Sequence, residues 1–392
     1  MTPTTDMTVP ALDALQREQA ERVQAAVCRQ IGASGGWIGF DAYLEIVLYA
    51  PGLGYYSAGA QKFGASGDFV TAPEISPLFG ACIARQCAPL LAAGADLLEL
   101  GAGSGALAEV LLTRLADAGT LPGHYFILEV SADLRERQRA RLAHLPPQLY
   151  GRVRWLDAMP ARGLHGIILA NEVADALPFQ CFSVTEAGYH ERGVGLDGAG
   201  HPCWAERAAP APLREELQRI ERSLATPLAP GYQGELCTRM GPWVEGVAAP
   251  LESGCILLID YGLGRRELYH PQRHRGTLRC QFRHRWHEDP FLYPGVQDIS
   301  AWVDYTRIAE AASAAGLEVA GYCTQAAFLI GAGIEAEIGA GHNSIATART
   351  AQQARTLLMP GEMGESCKAM LLTRGAVPEL PAFRVQDLRR LL

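Results

Sequence analysis

The chain has 392 residues, 48% of them hydrophobic, which suffices for one enlarged domain or two with a sizeable core. A formal net charge of −8 offers no general attraction to DNA or RNA, and the ten cysteines include no CxxC pair, so a nucleic-acid binder, a zinc module and a disulfide scaffold are all disfavoured. No apolar run reaches about 18 residues, and Met1–Pro10 has neither a basic n-region nor an apolar stretch, so a bacterial-type cytoplasmic protein without membrane insertion is expected.

Apolar positions Leu12, Leu15, Val23, Val27 and Ile31 predict an amphipathic helix over residues 11–31. A second helix is expected over Phe40–Tyr49, stopped by Pro51 and Gly52, followed by a loop to Pro73. Ser76 as N-cap and Pro77 at the first helical position predict a helix to Leu91. An α/β alternation then begins. Strands are expected at Asp96–Leu100, Tyr125–Val130, Val153–Leu156, Ile167–Ala170, Ile256–Ile259, Leu317–Tyr322 and Ala369–Thr373. Helices are expected at Gly105–Leu115, Ala132–Leu142 and Ile299–Ala315. Seven strands separated by helices imply an α/β, Rossmann-like fold: a mostly parallel sheet, helices on both faces, and the last strand antiparallel.

The alternation is interrupted twice. Alternating residues at Cys181–Thr185 and Tyr189–Leu196 predict a hairpin, and a charged helix follows near Leu213–Leu224. The expected organisation is an N-terminal helical segment (1–92), a first half of the core (93–176), an insertion (177–250), and a second half of the core (251–392) that carries a basic insertion at 262–298. The most basic segment of that insertion holds His270, His274, His284 and His287 with Arg273, Arg275, Arg279, Arg283 and Arg285; with Cys280 the one cysteine at ligand spacing, it reads as a docking or substrate-side loop, or a plain solvated one, rather than a metal site.

The strongest local signal is Leu97-Leu98-Glu99-Leu100-Gly101-Ala102-Gly103-Ser104-Gly105, a strand running through a glycine turn into a helix. Gly101, Gly103 and Gly105 let backbone approach a ligand, and the helix start offers free amides. The glycines alone fit both a dinucleotide and S-adenosylmethionine. Glu99 tilts the choice, since a carboxylate at the strand end suits a ligand bearing an ammonium and a sulfonium and suits a pyrophosphate poorly. Glu129, ending the second strand, can accept both ribose hydroxyls, a feature shared with nicotinamide sites. Asp157 either accepts the adenine amino group or is a solvated turn residue. Thr71, Pro73 and Glu74 precede the Ser76 helix and are expected to close over the cofactor. Asn171-Glu172-Val173-Ala174-Asp175 closes the fourth strand, where open α/β sheets bind ligands. Asn171, Glu172 and Asp175 are therefore candidate catalytic residues; the alternative is Asn171 as a helix N-cap with Asp175 in the next turn. Asp260-Tyr261-Gly262 is a weaker candidate.

Several motifs together resemble one family. They are Tyr49-Ala50-Pro51-Gly52-Leu53-Gly54-Tyr55-Tyr56, Gly67-Asp68-Phe69-Val70-Thr71-Ala72-Pro73-Glu74-Ile75-Ser76, the Glu99 glycine loop, Asn171-Glu172 through Pro178, Gly276-Thr277-Leu278-Arg279-Cys280, Asp298-Ile299 through Thr306, and Pro360-Gly361-Glu362-Met363-Gly364. Across about residues 35–375 the chain resembles the MidA family, whose mitochondrial members are arginine methyltransferases acting in assembly of respiratory complex I. The resemblance implies a class I methyltransferase core, an N-terminal helical lid, S-adenosyl-L-methionine as cofactor, and a protein substrate such as a complex I subunit. The absence of a transit peptide departs from the mitochondrial branch and leaves the substrate open.

Elementary chemistry agrees with an arginine acceptor. A guanidinium is always protonated in water and a poor nucleophile, so carboxylates must hold its fork and aim one nitrogen at the methyl group. Glu172 and Asp175, expected one helical turn apart, suit that task. Two other readings stay open: a cofactor-binding assembly scaffold without methyl transfer, and a small-molecule methyltransferase.

Overall fold

The computed structural model describes residues 9–57, 71–91, 94–339 and 344–392. Met1–Thr8 and the Gly67-Asp68-Phe69-Val70 part of the specific motif lie outside the described residues. The chain divides into two compact units, each assembled from three stretches: Met1–Val70, Ala176–Arg239 and Arg266–Trp302 form one, and Thr71–Asp175, Met240–Arg265 and Val303–Leu392 the other.

The second unit is the sheet. Its strands in chain order are β1 (Asp96–Leu100), β2 (Tyr125–Leu128), β3 (Val153–Leu156), β4 (Leu164–Asn171), β5 (Leu251–Leu263), the two-residue β6 (Val303–Asp304), β7 (Glu318–Thr324) and β8 (Cys367–Arg374). The spatial order is β7-β8-β5-β4-β1-β2-β3, with β6 beside the end of β5. β1 through β5 pair in parallel, and β8 runs antiparallel to both β5 and β7. This is the expected Rossmann-like class I architecture. Central strands read as continuous apolar runs because both faces are covered: Leu97, Leu98, Ile167, Ile168 and Leu169 have no exposed surface.

The unit boundaries differ from the expected ones for a packing reason. Helix Pro77–Cys87, expected with the N-terminal segment, buries Leu78, Phe79, Cys82 and Ile83 in the same core as Leu107, Leu111 and Leu115 of helix Ala106–Asp117. Ser76 caps it as expected, accepting from the Leu78 amide at 3.3 Å. Helix Met240–Ala248, expected in the insertion, likewise packs with helix Tyr305–Ala314 of the sheet unit.

The first unit has its own core around Val27, Phe40, Tyr43, Phe179 and Val194. Its helix Ala14–Ala33 starts with a capping box, Asp13 accepting from the Gln16 amide at 2.9 Å and Gln16 from the Asp13 amide at 3.2 Å. The expected hairpin is present as Gln180–Thr185 and Gly188–Leu196, flanked by Pro202–Ala208 and Gln233–Leu236 in a four-stranded antiparallel sheet. Two helical expectations are corrected. Phe40–Leu44 is α-helical, but Glu45–Tyr49 widens to a π-turn. Helix Ile299–Ala315 begins only at Tyr305: Asp298–Ser300 pairs antiparallel with Arg279–Gln281, and Asp304 caps the shorter helix by accepting from the Arg307 amide at 3.1 Å. All ten cysteines are free thiols, seven of them buried.

Candidate active site

The glycine turn follows from the sheet. β1 lies inside the sheet between β4 and β2, and the Gly101 amide still bonds to the Leu128 carbonyl of β2 at 2.9 Å. The chain then turns through left-handed conformations at Gly101 (φ 60°), Gly103 (φ 54°) and Gly105 (φ 82°), which side chains resist. Helix Ala106–Asp117 starts directly from Gly105, and among the described residues no side chain caps its first amides. Those amides and the positive helix end form an anion-receptive corner.

Gln138, wholly buried on helix Ala132–Leu142, fixes this corner. Its amide nitrogen donates to the Gly103 carbonyl at 2.9 Å and to Glu129 Oε2 at 3.1 Å, while its oxygen accepts from Trp155 Nε1 at 3.0 Å. The Ser131 amide donates to Glu129 Oε1 at 3.0 Å, so the Glu129 carboxylate, 6% exposed, is aimed from both sides. A carboxylate has further lone pairs for a diol. Val130, next to it, is 83% exposed, an apolar surface beside a polar anchor. Glu99, also buried, accepts from Tyr125 Oη at 2.6 Å. Burial pushes its carboxyl up to about 7, Tyr125 pulls it down, and the nearby Glu129 charge pushes it up again. A cation beside Glu99 would relieve that cost.

Residues Thr71 to Glu74 lie against two of the loops that follow strands. Thr71 precedes the short helix Ala72–Ile75, with Pro73 inside its first turn. The Ala72 amide donates to Glu172 Oε1 at 3.1 Å. Glu74 accepts from Ser104 of the glycine turn and, at 3.3 Å, from Arg141, which also donates to Ser104 at 2.6 Å. Thr71–Glu74, the glycine turn and Glu172 are thus brought together. Asp157 is not part of this group: its carboxylate is 90% exposed and pairs with Arg135 at 2.7 Å.

The loop after β4 departs from the expected helix. Asn171 ends the strand, Glu172 takes a left-handed backbone (φ 52°), and residues 174–177 bend and turn. The reason is Asp260, wholly buried at the end of β5. Its Oδ2 accepts from the amides of Val173 (3.1 Å), Ala174 (2.8 Å) and Asp175 (3.2 Å), and its Oδ1 from Tyr261 (2.8 Å). Asp260 thus ties three consecutive amides to one carboxylate oxygen and holds the start of the loop against the adjacent strand. Burial raises the Asp260 carboxyl to about 6 against the pull of those four bonds. Asp260 is therefore a buried anchor for the backbone of the loop. Asn171 Nδ2 donates to Glu172 Oε1 at 3.3 Å, and the Glu172 amide to the Ile259 carbonyl at 2.9 Å. The left-handed backbone, costing on the order of 1–3 kcal/mol, is held by these contacts.

Family comparison decides the class. The profile of the S-adenosyl-L-methionine-dependent methyltransferase family Methyltransf_28 matches residues 82–323. The chain belongs to this family. A crystal structure of a Burkholderia thailandensis protein bound to S-adenosyl-homocysteine superposes with a TM-score of 0.92 at 42% identity, covering 98% of this chain and all of that one. Among curated proteins, the chain is 28% identical over 339 residues to the zebrafish (Danio rerio) protein arginine methyltransferase NDUFAF7, mitochondrial, covering 77% of this chain and 75% of that protein. The fruit fly (Drosophila melanogaster) homologue is 29% identical, covering 76% and 72%. The cofactor of this methyltransferase is S-adenosyl-L-methionine, and the residues present suit it: buried carboxylates at Glu99 and Glu129 for ammonium and diol, and an uncapped helix start for a carboxylate.

Sequence reasoning missed Gln138, Tyr125, Val130 and the anchoring part of Asp260 in this methyltransferase. Gln138 left one trace, an amide among the charged residues of an otherwise solvated-looking helix. Among the described residues no group of three or more His, Cys, Asp or Glu is placed to hold a metal, and no helix is long and apolar enough to cross a membrane.

Proposed function

We propose that this methyltransferase transfers methyl groups to an arginine of a protein, with Glu172 and Asp175 on the acceptor side and Asn171 positioning Glu172. Glu99, Gly101, Gly103, Gly105 and Glu129 hold the cofactor, and Thr71, Pro73 and Glu74 cover it. The observation that carries this reading is the Glu172 carboxylate, held at the end of β4 by the Ala72 amide on the segment that also bonds the glycine turn. When bound, the cofactor supplies a methyl group on a sulfonium. The chain's own residues do the rest. Glu172 and Asp175 accept the N–H fork of the guanidinium, restrict it to one orientation, and take the proton that leaves as nitrogen gains carbon. The arginine methyltransferases among the relatives support the acceptor, and the MidA resemblance extends it to a subunit of a complex I-type assembly. Asp157, exposed and paired to Arg135, is a peripheral contact to the adenine at most.

The test incubates the enzyme with labelled cofactor and a lysate from a strain lacking it, and maps the label by mass spectrometry. Label on arginine of a protein is expected. Label only on lysine, carboxylates or small metabolites overturns the arginine assignment.

A further inference from the structure

The first unit contains a cavity of about 360 Å³ that the chemistry above does not use. Four guanidiniums line it, Arg192, Arg273, Arg275 and Arg279, against two carboxylates, Glu235 and Glu288. In a chain with a net charge of −8 this local excess of cations is a reversal of sign. Much of it is uncompensated. Arg192 pairs with Glu206 at 3.2 Å and Arg275 with Glu288 at 3.1 Å. Glu235 is consumed by the cavity wall: it accepts from the Thr277 amide at 2.8 Å, the Thr277 hydroxyl at 3.0 Å and the Leu278 amide at 3.3 Å. Among the described residues, the Arg273 side chain donates only to a backbone carbonyl, that of Glu267, at 2.6 Å. The Arg279 side chain makes no hydrogen bond or ion pair among the described residues; its guanidinium lies over the Trp286 ring at 4.8 Å.

The guanidiniums are pre-oriented by aromatic faces. Arg192 lies 4.4 Å from the centre of Trp204, and Arg273 lies 5.3 Å from that of Trp302. A planar fork stacked on a ring loses little freedom when it takes a carboxylate bidentately. The Gly276-Thr277-Leu278-Arg279 wall is itself held by Glu235, so its two ends cannot shift independently. The cavity is open: the Arg275 side chain is 76% exposed, and Trp286, with half its surface exposed, stands beside Arg279. A metabolite is usually engulfed to 70–90% of its surface. Exposed cations beside an exposed tryptophan instead make a surface of the composition found where proteins meet.

We propose that this cavity docks an acidic stretch of the polypeptide substrate, with Asp or Glu side chains entering between Arg273 and Arg279. This rests on the reading that the methyl acceptor is a protein. Docking by charge would raise the association rate and select among arginine-bearing proteins by their acidic neighbours.

The test uses the full chain and a fluorescein-labelled decapeptide of alternating Glu, Asp and Gly, with its Gln/Asn counterpart as control, read by fluorescence anisotropy. Binding of the acidic peptide only, weakened by salt, is expected. Arg279→Glu should weaken it by at least about tenfold, the scale of one charged hydrogen bond. Arg279→Lys should recover part of the loss. S-adenosyl-homocysteine affinity, measured on the same samples by calorimetry, should stay unchanged and shows that each variant is folded. Equal binding of the neutral peptide, or wild-type acidic-peptide affinity in Arg279→Glu, overturns the proposal. So does equally tight competition by inorganic phosphate or ADP, which would make the cavity a small-anion site. Sedimentation showing that Arg279→Glu dissociates a dimer, with no peptide binding by wild type, would assign the surface to a second copy instead. If peptide binding behaves as expected but the label maps to no arginine, the docking site stands and the acceptor reading fails.

Discussion

Two loops at the carboxyl ends of neighbouring parallel strands are built in opposite ways. The Gly101–Gly105 turn after β1 bends because its own residues allow it, and Gln138 only braces it. The Asn171–Pro178 loop after β4 has no glycine; it is bent from outside by Asp260 on the adjacent strand. One loop presents backbone, the other side chains. On the proposed function, the cofactor is met by backbone amides and bare glycines, whereas the acceptor is met by carboxylates. An external anchor also lets loop residues vary while the backbone stays in place.

The contrast predicts different failures. Gly103→Val puts a β-branched side chain at a left-handed position in the backbone-built loop. Calorimetry should find S-adenosyl-homocysteine binding lost, by at least about 100-fold, with the fold intact by circular dichroism; unchanged affinity in a folded protein would remove the turn from the cofactor site. Glu172→Gln in the other loop should leave cofactor affinity alone and lower the transfer rate roughly 30- to 1,000-fold, the effect of about 2–4 kcal/mol lost from one preorganised contact. Wild-type transfer in that variant would exclude the carboxylate from the reaction. Asp260→Asn tests the anchor: an amide group cannot accept at both ends, so buried amides lose their partner. Urea unfolding should show on the order of 2–3 kcal/mol lost, and methyl transfer should fall while S-adenosyl-homocysteine affinity changes little. An equal loss of both activities would mean that the two loops are not separable.

Glu99 should give the cofactor end a pH signature. Its carboxyl in the folded chain sits near 7, above the ordinary value of 4.5, so its stabilising contribution to the cofactor-free protein is complete below pH 4.5 and disappears as pH rises through 7. A bound cation favours the charged form, so cofactor affinity should rise with pH and level off above 7, falling roughly tenfold between pH 7 and 5.5. Calorimetry across that range should show this in the wild type and a flat profile in Glu99→Gln; a parallel slope in both would assign the titration to another group. Asp157→Ala should change affinity by less than about twofold, because an exposed pair contributes little. A larger loss would place Asp157 against the adenine.

The sequence was most legible where causes are local. The strand–glycine–helix pattern, Ser76 and the capping of its helix, and the apolar runs of the central strands each carry their reason within a few residues. The β4 loop was misread because Asn171 and the following small residues suit a helix start, while the deciding carboxylate stands 86 residues after Ala174. Gln138 was missed for the same reason, being 35 residues from the carbonyl it braces. Helix Pro77–Cys87 was grouped with the N-terminal segment by chain order; only its packing against Ala106–Asp117 shows which core it completes.

The antiparallel strand β8 has a consequence in time. It lies between β5 and β7, yet roughly 100 residues separate the end of β5 from its start. At about 5–20 residues per second of synthesis, the β5 edge stays open for on the order of 5–20 seconds after it emerges, an apolar strand edge of the kind that recruits foreign strands.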